Sequence, residues 1–201
     1  MIDLFETLID GILTNGYGVA DQFLSAGEVT ALAGRLRDRR AAGQFRAAGI
    51  GNRQVTYETA IRGDEILWLD AATAPPEERA FLERIDAFVA YVNRTCYLGL
   101  RDFECHYALY PPGAFYKRHL DQFRSDSRRK LSVIGYLNAD WQEGDGGQLA
   151  LFLPRDGDTE ERVEIAPVGG RLVCFESGQL EHEVLPATRE RLSVTGWLKT
   201  A

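Results

Sequence analysis

The spacing of the hydrophobic residues changes near residue 100. Before this point they recur every three or four positions, which predicts helices with one buried face. Ser25 and Glu28 have the spacing of a capping box ahead of one such run, so we predict a helix over residues 26–42. A Pro-Pro-Glu-Glu sequence opens a second run, which predicts a helix over residues 75–97. These helices are predicted to support the rest of the fold.

After residue 100 the hydrophobic residues fall in short runs that predict strands rather than helices. Glycine and aspartate are concentrated at residues 144–147 and 155–158, where we predict turns. The seven predicted strands span residues 103–110, 131–137, 148–153, 162–165, 171–175, 181–184 and 191–199. Short strands at this spacing indicate a sandwich or a barrel, so the predicted fold class is α+β and mainly β.

Composition fits one folded unit. The chain has 201 residues, of which 45% are hydrophobic, and this is enough to bury a full core without disulfides. We expect a single domain over residues 1–201, with helical support mainly in 1–100 and the strand core in about 100–200. The net charge of −7 argues against a nucleic-acid partner, because neutralising phosphates requires a concentrated basic surface.

Three features predict a cytoplasmic location. The first residues are acidic and lack the basic and then apolar order of a signal peptide. No run of apolar residues is long enough to cross a membrane, so we expect no membrane partner. Cys96, Cys105 and Cys174 are scattered and odd in number, which is typical of buried thiols in a reducing compartment.

Candidate metal chemistry begins at His119 and Asp121. Residues two apart on a strand share a face, so both side chains can bind one ion while Leu120 points into the protein. Such pairs are more often surface pairs than ligand pairs, but the chain has only three histidines, and His182 stands nine residues before Arg191. Two imidazoles and one carboxylate leave the opposite coordination face open, as a non-haem Fe(II) oxygenase needs for a chelating cosubstrate and O2.

This pattern resembles that of the 2-oxoglutarate- and Fe(II)-dependent oxygenases. Their motif is H-x-D, a histidine about fifty or more residues later, and an arginine roughly ten beyond it. The resemblance implies that His119, Asp121 and His182 ligate the iron and that Arg191 binds the far carboxylate of 2-oxoglutarate. It also implies a double-stranded β-helix, the jelly-roll form of closed β architecture, with supporting N-terminal helices packed on one sheet.

The flanking sequences narrow the resemblance. Residues 62–68, Tyr110-Pro111, residues 136–141 and Trp197 are similar to the prolyl hydroxylases of hypoxia-inducible factors and to their bacterial relatives, over roughly residues 60–200. The resemblance implies that Tyr136 supports the arginine and that Tyr110 lies beside the metal-bound end of the cosubstrate. It places four residues along a peptide-binding rim: Arg62, Asp64, Arg129 and Trp197.

A physical argument also favours Arg191. A dicarboxylate in an apolar barrel needs its distal charge paired, and guanidinium offers a planar fork that an ammonium lacks. On a strand that begins at Arg191, the alternate residues Ser193, Thr195 and Trp197 share its face, so we expect Thr195 to contact the cosubstrate. Arg189 is the competing candidate, but we predict that it lies in a solvated turn.

Other polar and aromatic residues flank the predicted site. Tyr116 is predicted to be structural, as strand tyrosines usually are. His106 shares a strand face with Tyr110, so it can line the pocket, but a fourth metal ligand would block O2. Residues 122–130 form a basic island, containing Arg124, Arg128, Arg129 and Lys130, that follows the ligand pair and is expected to overhang the metal.

Three functions fit the sequence. The resemblance implies hydroxylation of a prolyl residue in a protein substrate, with iron, 2-oxoglutarate and O2, release of succinate and CO2, and ascorbate as a possible reductant. The first alternative is an oxygenase for a free amino acid or small metabolite, which a small closed pocket would favour. The second is a catalytically silent jelly roll that binds a metal or ligand as a sensor.

Overall fold

The computed structural model of the chain describes residues 1–49, 56–123, 125–155, 157 and 159–201. Arg124 of the basic island, and Asp156 and Asp158 of one predicted turn, lie outside the described residues.

Three helices precede most of the strands. They are α1 (Ile2–Asn15), α2 (Ala26–Ala41) and α3 (Pro76–Cys96). The two predicted helices, α2 and α3, are confirmed, whereas α1 was not predicted. The Ser25 hydroxyl accepts from the Glu28 backbone N–H at 3.3 Å, and the Glu28 carboxylate accepts from the Ser25 N–H at 2.8 Å, so the capping box is present.

The described residues contain eleven strands. They are β1 (Tyr17–Ala20), β2 (Arg46–Ala47), β3 (Glu65–Trp68), β4 (Asp102–Tyr110), β5 (Tyr116–His119), β6 (Arg129–Tyr136), β7 (Leu149–Arg155), β8 (Thr159–Ile165), β9 (Leu172–Glu176), β10 (Glu181–Val184) and β11 (Arg191–Lys199). All seven predicted strands are confirmed within a few residues at their ends. The seven predicted strands did not include β5, nor β1, β2 and β3, which join the larger sheet from the first hundred residues.

The strands form two antiparallel sheets. The larger has the order β1-β9-β6-β11-β4-β3-β2, and the smaller has the order β5-β10-β7-β8. Strands that are distant in sequence are neighbours in each sheet, which is the double-stranded β-helix that the resemblance implied. The larger sheet carries β4, β6 and β11, and the smaller sheet carries β5 and β10, so both sheets contribute to one interior.

Strand alternation separates two hydrophobic cores. On β4, Tyr107 and Leu109 pack in the core between the helices and the larger sheet, whereas Ala108 and Tyr110 pack in the core between the two sheets. This is the period of two that a strand imposes on its side chains. Within the described part of the chain, none of the helices has the length and apolar character needed to cross a bilayer.

Candidate metal and cosubstrate site

The structure brings His119, Asp121 and His182 together. Nε2 of His119 lies 3.6 Å from one carboxylate oxygen of Asp121, and Nε2 of His182 lies 3.5 Å from the other. One potential ligand atom from each residue lies within 4.8 Å of the others. This convergence is confirmed as the sequence predicted it, and the three donors can surround a single cation.

Strand pairing produces the convergence. His119 ends β5 and lies directly opposite His182 on β10, and their rings are 4.2 Å apart. Asp121 follows just beyond the end of β5. The prediction that Leu120 points into the protein is wrong, because this side chain is 40% exposed. The strand stops at His119, so strict alternation no longer governs the next residues.

Hydrogen bonds orient each donor towards the centre. Nδ1 of His119 donates to the Lys117 carbonyl at 2.7 Å, and Nδ1 of His182 donates to a backbone carbonyl at 3.1 Å, which leaves both Nε2 lone pairs free. The Ser132 hydroxyl donates to the Asp121 carboxylate at 2.7 Å. Sequence reasoning did not anticipate a role for Ser132, which is fully buried on β6.

Protonation states also suit metal binding. Burial lowers the pKa of His182 to about 4, so its imidazole is neutral near pH 7. Burial by itself would raise the pKa of Asp121, but His182, His119 and the Ser132 hydroxyl hold it below its ordinary value. Neutral imidazoles and an ionised carboxylate are the forms that ligate a metal.

Arg191 is a buried cation without an acidic partner among the described residues. Its side chain is 1% exposed, and Nε donates to the Gly147 carbonyl at 2.8 Å, while Nη2 has no hydrogen-bond partner in the described part of the chain. Because an unpaired buried charge is costly, this site calls for an anion. Arg189, the competing candidate, is half exposed and lies 3.5 Å from Asp145, as the prediction of a solvated position required.

The predicted cosubstrate residues surround Arg191. Its guanidinium lies 5.1 Å from the ring of Tyr110 and 5.0 Å from the ring of Tyr136. The Tyr136 hydroxyl is buried and has no partner within the described residues. Tyr110, Arg191 and Thr195 line the cavity that also holds the three metal ligands.

These residues fit iron and 2-oxoglutarate. The two-histidine, one-carboxylate donor set is the one that non-haem Fe(II) oxygenases use. The unpartnered Nη2 of Arg191 offers a donor for a carboxylate in the cavity of the metal ligands, and the unpartnered Tyr136 hydroxyl belongs to a ring 5.0 Å from the same guanidinium. A dicarboxylate that chelates the metal at one end can therefore be held at its other end by Arg191.

Two of the predicted rim residues form an ion pair. Arg62 donates twice to Asp64, at 2.6 and 2.9 Å, and its guanidinium lies 4.5 Å from the ring of Tyr116. Arg62 lines the metal cavity, but Asp64 is buried, with no exposed side-chain surface. The prediction that Asp64 lies along the peptide-binding rim is therefore corrected: its carboxylate is buried and fixes the guanidinium of Arg62.

The other two predicted rim residues stack on each other. The guanidinium of Arg129 lies 3.5 Å from the ring of Trp197, and it donates to Glu104 at 2.7 Å and to the Asp121 carbonyl at 3.1 Å. Both residues line a second cavity of about 350 Å³ that shares His119 and Asp121 with the first. Arg129 thus connects the wall of this cavity with the backbone of a metal ligand.

Sequence reasoning missed two cavity residues and anticipated a third. Tyr116, predicted to be structural, lines both cavities and stacks on the His119 ring at 3.5 Å. Trp68 on β3 lines the second cavity, although nothing in its local sequence indicates this position. His106 lines both cavities, as its strand face predicted.

Comparison with known proteins agrees with this geometry. The model of the 2OG-Fe(II) oxygenase superfamily matches residues 105–199, which contain the three metal ligands and Arg191. A prolyl-4-hydroxylase from Pseudomonas putida is 45% identical, with a TM-score of 0.86, and the match covers 98% of this chain and 99% of that one.

Two animal relatives are more distant. A prolyl hydroxylase from Trichoplax adhaerens, solved with a peptide fragment of the hypoxia inducible factor oxygen degradation domain, is 30% identical with a TM-score of 0.85, and the match covers 98% of this chain and 89% of that one. Human Egl nine homolog 1 is 27% identical over 96% of this chain and 46% of its own length. The chain thus spans about half the length of the Egl nine relatives it matches.

Proposed function

Because this chain belongs to the 2-oxoglutarate- and Fe(II)-dependent oxygenase superfamily, we propose that it hydroxylates a prolyl residue in a protein substrate. One observation carries the oxygenase chemistry. The buried, unpaired guanidinium of Arg191 lies in the same cavity as the three metal ligands, which is the arrangement that a chelating dicarboxylate needs. The identity with the Pseudomonas putida prolyl-4-hydroxylase supports proline as the target.

The chain's own residues prepare and orient the reactants. His119, Asp121 and His182 would hold iron from one side, and Arg191 would hold the distal carboxylate of 2-oxoglutarate. Together with O2, the bound iron and 2-oxoglutarate supply an oxidation that yields succinate, CO2 and a hydroxylated substrate carbon. Tyr110 and the apolar walls of the cavity would limit the entry of water to the end of 2-oxoglutarate that binds the iron.

The second cavity supports a peptide rather than a small metabolite as the substrate. It has a volume of about 350 Å³ and extends from His119 and Asp121 to Arg46 and Ala47 on the edge strand β2. Trp68, which lines this cavity and is partly exposed, offers a flat apolar surface that suits a pyrrolidine ring. A free amino acid would be better served by a small closed pocket, so the wider cavity argues against that alternative.

The cavity rim provides positive charge for the peptide. Arg62 and Arg129 both line the second cavity, and each guanidinium is already held by a carboxylate, Asp64 and Glu104 respectively. Guanidinium groups that are fixed in this way can hydrogen-bond peptide carbonyls at little cost in side-chain entropy. Alanine substitution of Arg129 should raise the KM for peptide, and unchanged peptide turnover would contradict this role.

The test is turnover with defined components. Wild-type protein with Fe(II), 2-oxoglutarate and O2 is incubated with digested or intact proteins, and succinate release and oxygen addition at proline are followed by mass spectrometry. His119→Ala serves as the inactive variant, and omitting ascorbate tests our proposal that it acts as a reductant. Succinate release without hydroxyproline in any peptide would favour a small-metabolite substrate. The absence of both products would favour the sensor.

We further propose that the enzyme works in the cytoplasm, where its free cysteines would remain reduced.

A further inference from the structure

His106 occupies an aromatic corner of the substrate cavity. It lies on β4 opposite Trp68 of β3 and Thr195 of β11. Its imidazole stacks on Trp197, with ring centroids 5.3 Å apart and planes 27° apart, and it lies 5.0 Å from Trp68. The ring is 1% exposed and lines both cavities. The metal and cosubstrate contacts described above do not use it.

Both ring nitrogens of His106 lack a hydrogen-bond partner in the described part of the chain. Burial, and then the charges of Arg62 and Arg129, lower the pKa of His106 to about 3, against the opposing effect of Asp121. The imidazole is therefore neutral, with one N–H donor and one acceptor. An unsatisfied buried polar group costs free energy, so such a group facing a cavity indicates a polar partner that arrives with the ligand.

A second polar atom in this corner is also unsatisfied. Nε1 of Trp197 is buried and has no partner among the described residues. Both groups can donate a hydrogen bond. A prolyl residue inside a chain has no amide N–H, so the polar atoms that it can bring into a cavity are carbonyl oxygens, which only accept.

We propose that His106 is a substrate-positioning residue that donates a hydrogen bond to a carbonyl oxygen of the target prolyl residue. The aromatic ring of Trp68 contacts the apolar ring of the substrate, while the imidazole holds the prolyl residue in one rotation about its backbone. Positioning of this kind decides which C–H bond faces the metal ligands. The inference rests on the proposed function for the identity of the substrate.

The test uses two small neutral probes in place of an unidentified protein substrate. N-acetylproline methylamide carries the prolyl carboxamide carbonyl, whereas N-acetylpyrrolidine lacks it. Binding of each probe to the full chain, loaded with Mn(II) and 2-oxoglutarate, is measured by ligand-detected NMR. Wild type should prefer the methylamide, and His106→Leu should lose that preference by about fivefold, the loss expected for one neutral hydrogen bond.

Two further variants distinguish positioning from folding. His106→Gln retains a donor and should restore part of the preference. Tyr107→Phe removes a buried hydroxyl from the opposite face of β4 and should leave probe binding unchanged. All variants should bind 2-oxoglutarate with wild-type affinity in calorimetry.

The outcomes separate this inference from the proposed function. An unchanged probe preference in His106→Leu would overturn the inference, even if the enzyme hydroxylates proline. A preference that depends on His106, without any hydroxyproline formed in the turnover assay, would uphold the carbonyl contact and overturn the proposed function.

Discussion

Replacing Arg191 by methionine removes the proposed anchor for 2-oxoglutarate and little else. The guanidinium has one hydrogen bond, from Nε to the Gly147 carbonyl, and no acidic partner among the residues that the structure describes. Methionine fills a similar volume without charge. The variant therefore tests whether this buried cation is present for ligand binding or for stability.

The expected loss of affinity follows from the burial of the pair. Removing one partner of a buried, hydrogen-bonded charge pair costs about 3–5 kcal/mol. At about 1.4 kcal/mol for each factor of ten, Arg191→Met should weaken 2-oxoglutarate binding about 100- to 3,000-fold. Arg191→Lys keeps the charge but loses the planar fork, and it should cost about 10- to 100-fold.

Calorimetric titration of 2-oxoglutarate into protein loaded with Mn(II) measures this loss. Arg189→Met is the matched control, because Arg189 is close in sequence but half exposed, and its substitution should change the affinity by less than about twofold.

The stability of the ligand-free protein should not fall together with the 2-oxoglutarate affinity. Replacing an unpaired buried charge by a hydrophobic residue relieves its desolvation cost, so the ligand-free Arg191→Met variant should melt at the wild-type temperature or up to about 4 °C higher. Adding 2-oxoglutarate should stabilise wild type but not the variant. Unchanged 2-oxoglutarate affinity in Arg191→Met, or a large fall in melting temperature, would refute the reasoning.

Three further predictions test the surroundings of the site. Gly147 has a φ of +67°, and an added Cβ would lie 3.2 Å from the arginine side chain, so Gly147→Ala should weaken 2-oxoglutarate binding. Gly99→Ala, with a φ of +66° and no close neighbour, should lose similar stability in thermal melts without that effect. Ser132→Ala should reduce Fe(II) affinity about 10- to 100-fold in metal titrations, whereas Ser25→Ala should cost about 1 kcal/mol of stability and no metal affinity. Because the pKa of His106 is lowered from 6.5 to about 3, the unfolded chain binds a proton between these values that the native protein does not, and the unfolding free energy should fall as pH decreases through this window. His106→Leu should reduce that slope by about 1.4 kcal/mol per pH unit in denaturant titrations, and an unchanged slope would contradict the shift.

Local signals in the sequence were enough to predict elements whose periodicity is strong. The predictions for α2 and α3 were right because a capping box and a run of prolines mark where these helices begin. The predictions for β4 and β11 were right because each is a run of nine residues, long enough for its hydrophobic content to stand out between turn signals. Spacing along the chain also singled out His119, Asp121 and His182, which converge in the structure, and Arg191, which lines the same cavity.

Elements that depend on distant partners could not be predicted in this way. The strands β1 and β3 are four residues long and are defined by pairing with β9 and β4. Ser132 and Trp68 reach the site only because β6 and β3 lie beside strands from other parts of the chain.

Two side chains lie differently from their predicted positions. Asp64 was placed along the peptide-binding rim by the resemblance, but its side chain is buried because its carboxylate pairs with Arg62. Leu120 was predicted to point into the protein because strand alternation was extended through residue 121, but β5 ends at His119 and leaves Leu120 partly exposed.

The most direct test of the central claim follows both oxygen atoms of O2. Wild-type protein is given Fe(II), 2-oxoglutarate, O2 labelled with heavy oxygen and a peptide in which hydroxyproline has been found. If His119, Asp121 and His182 hold the iron beside a cosubstrate anchored by Arg191, one labelled atom should enter succinate and one should enter hydroxyproline, in equal amounts, and His119→Ala should form neither product. Labelled hydroxyproline without succinate, or undiminished products from His119→Ala, would contradict the account.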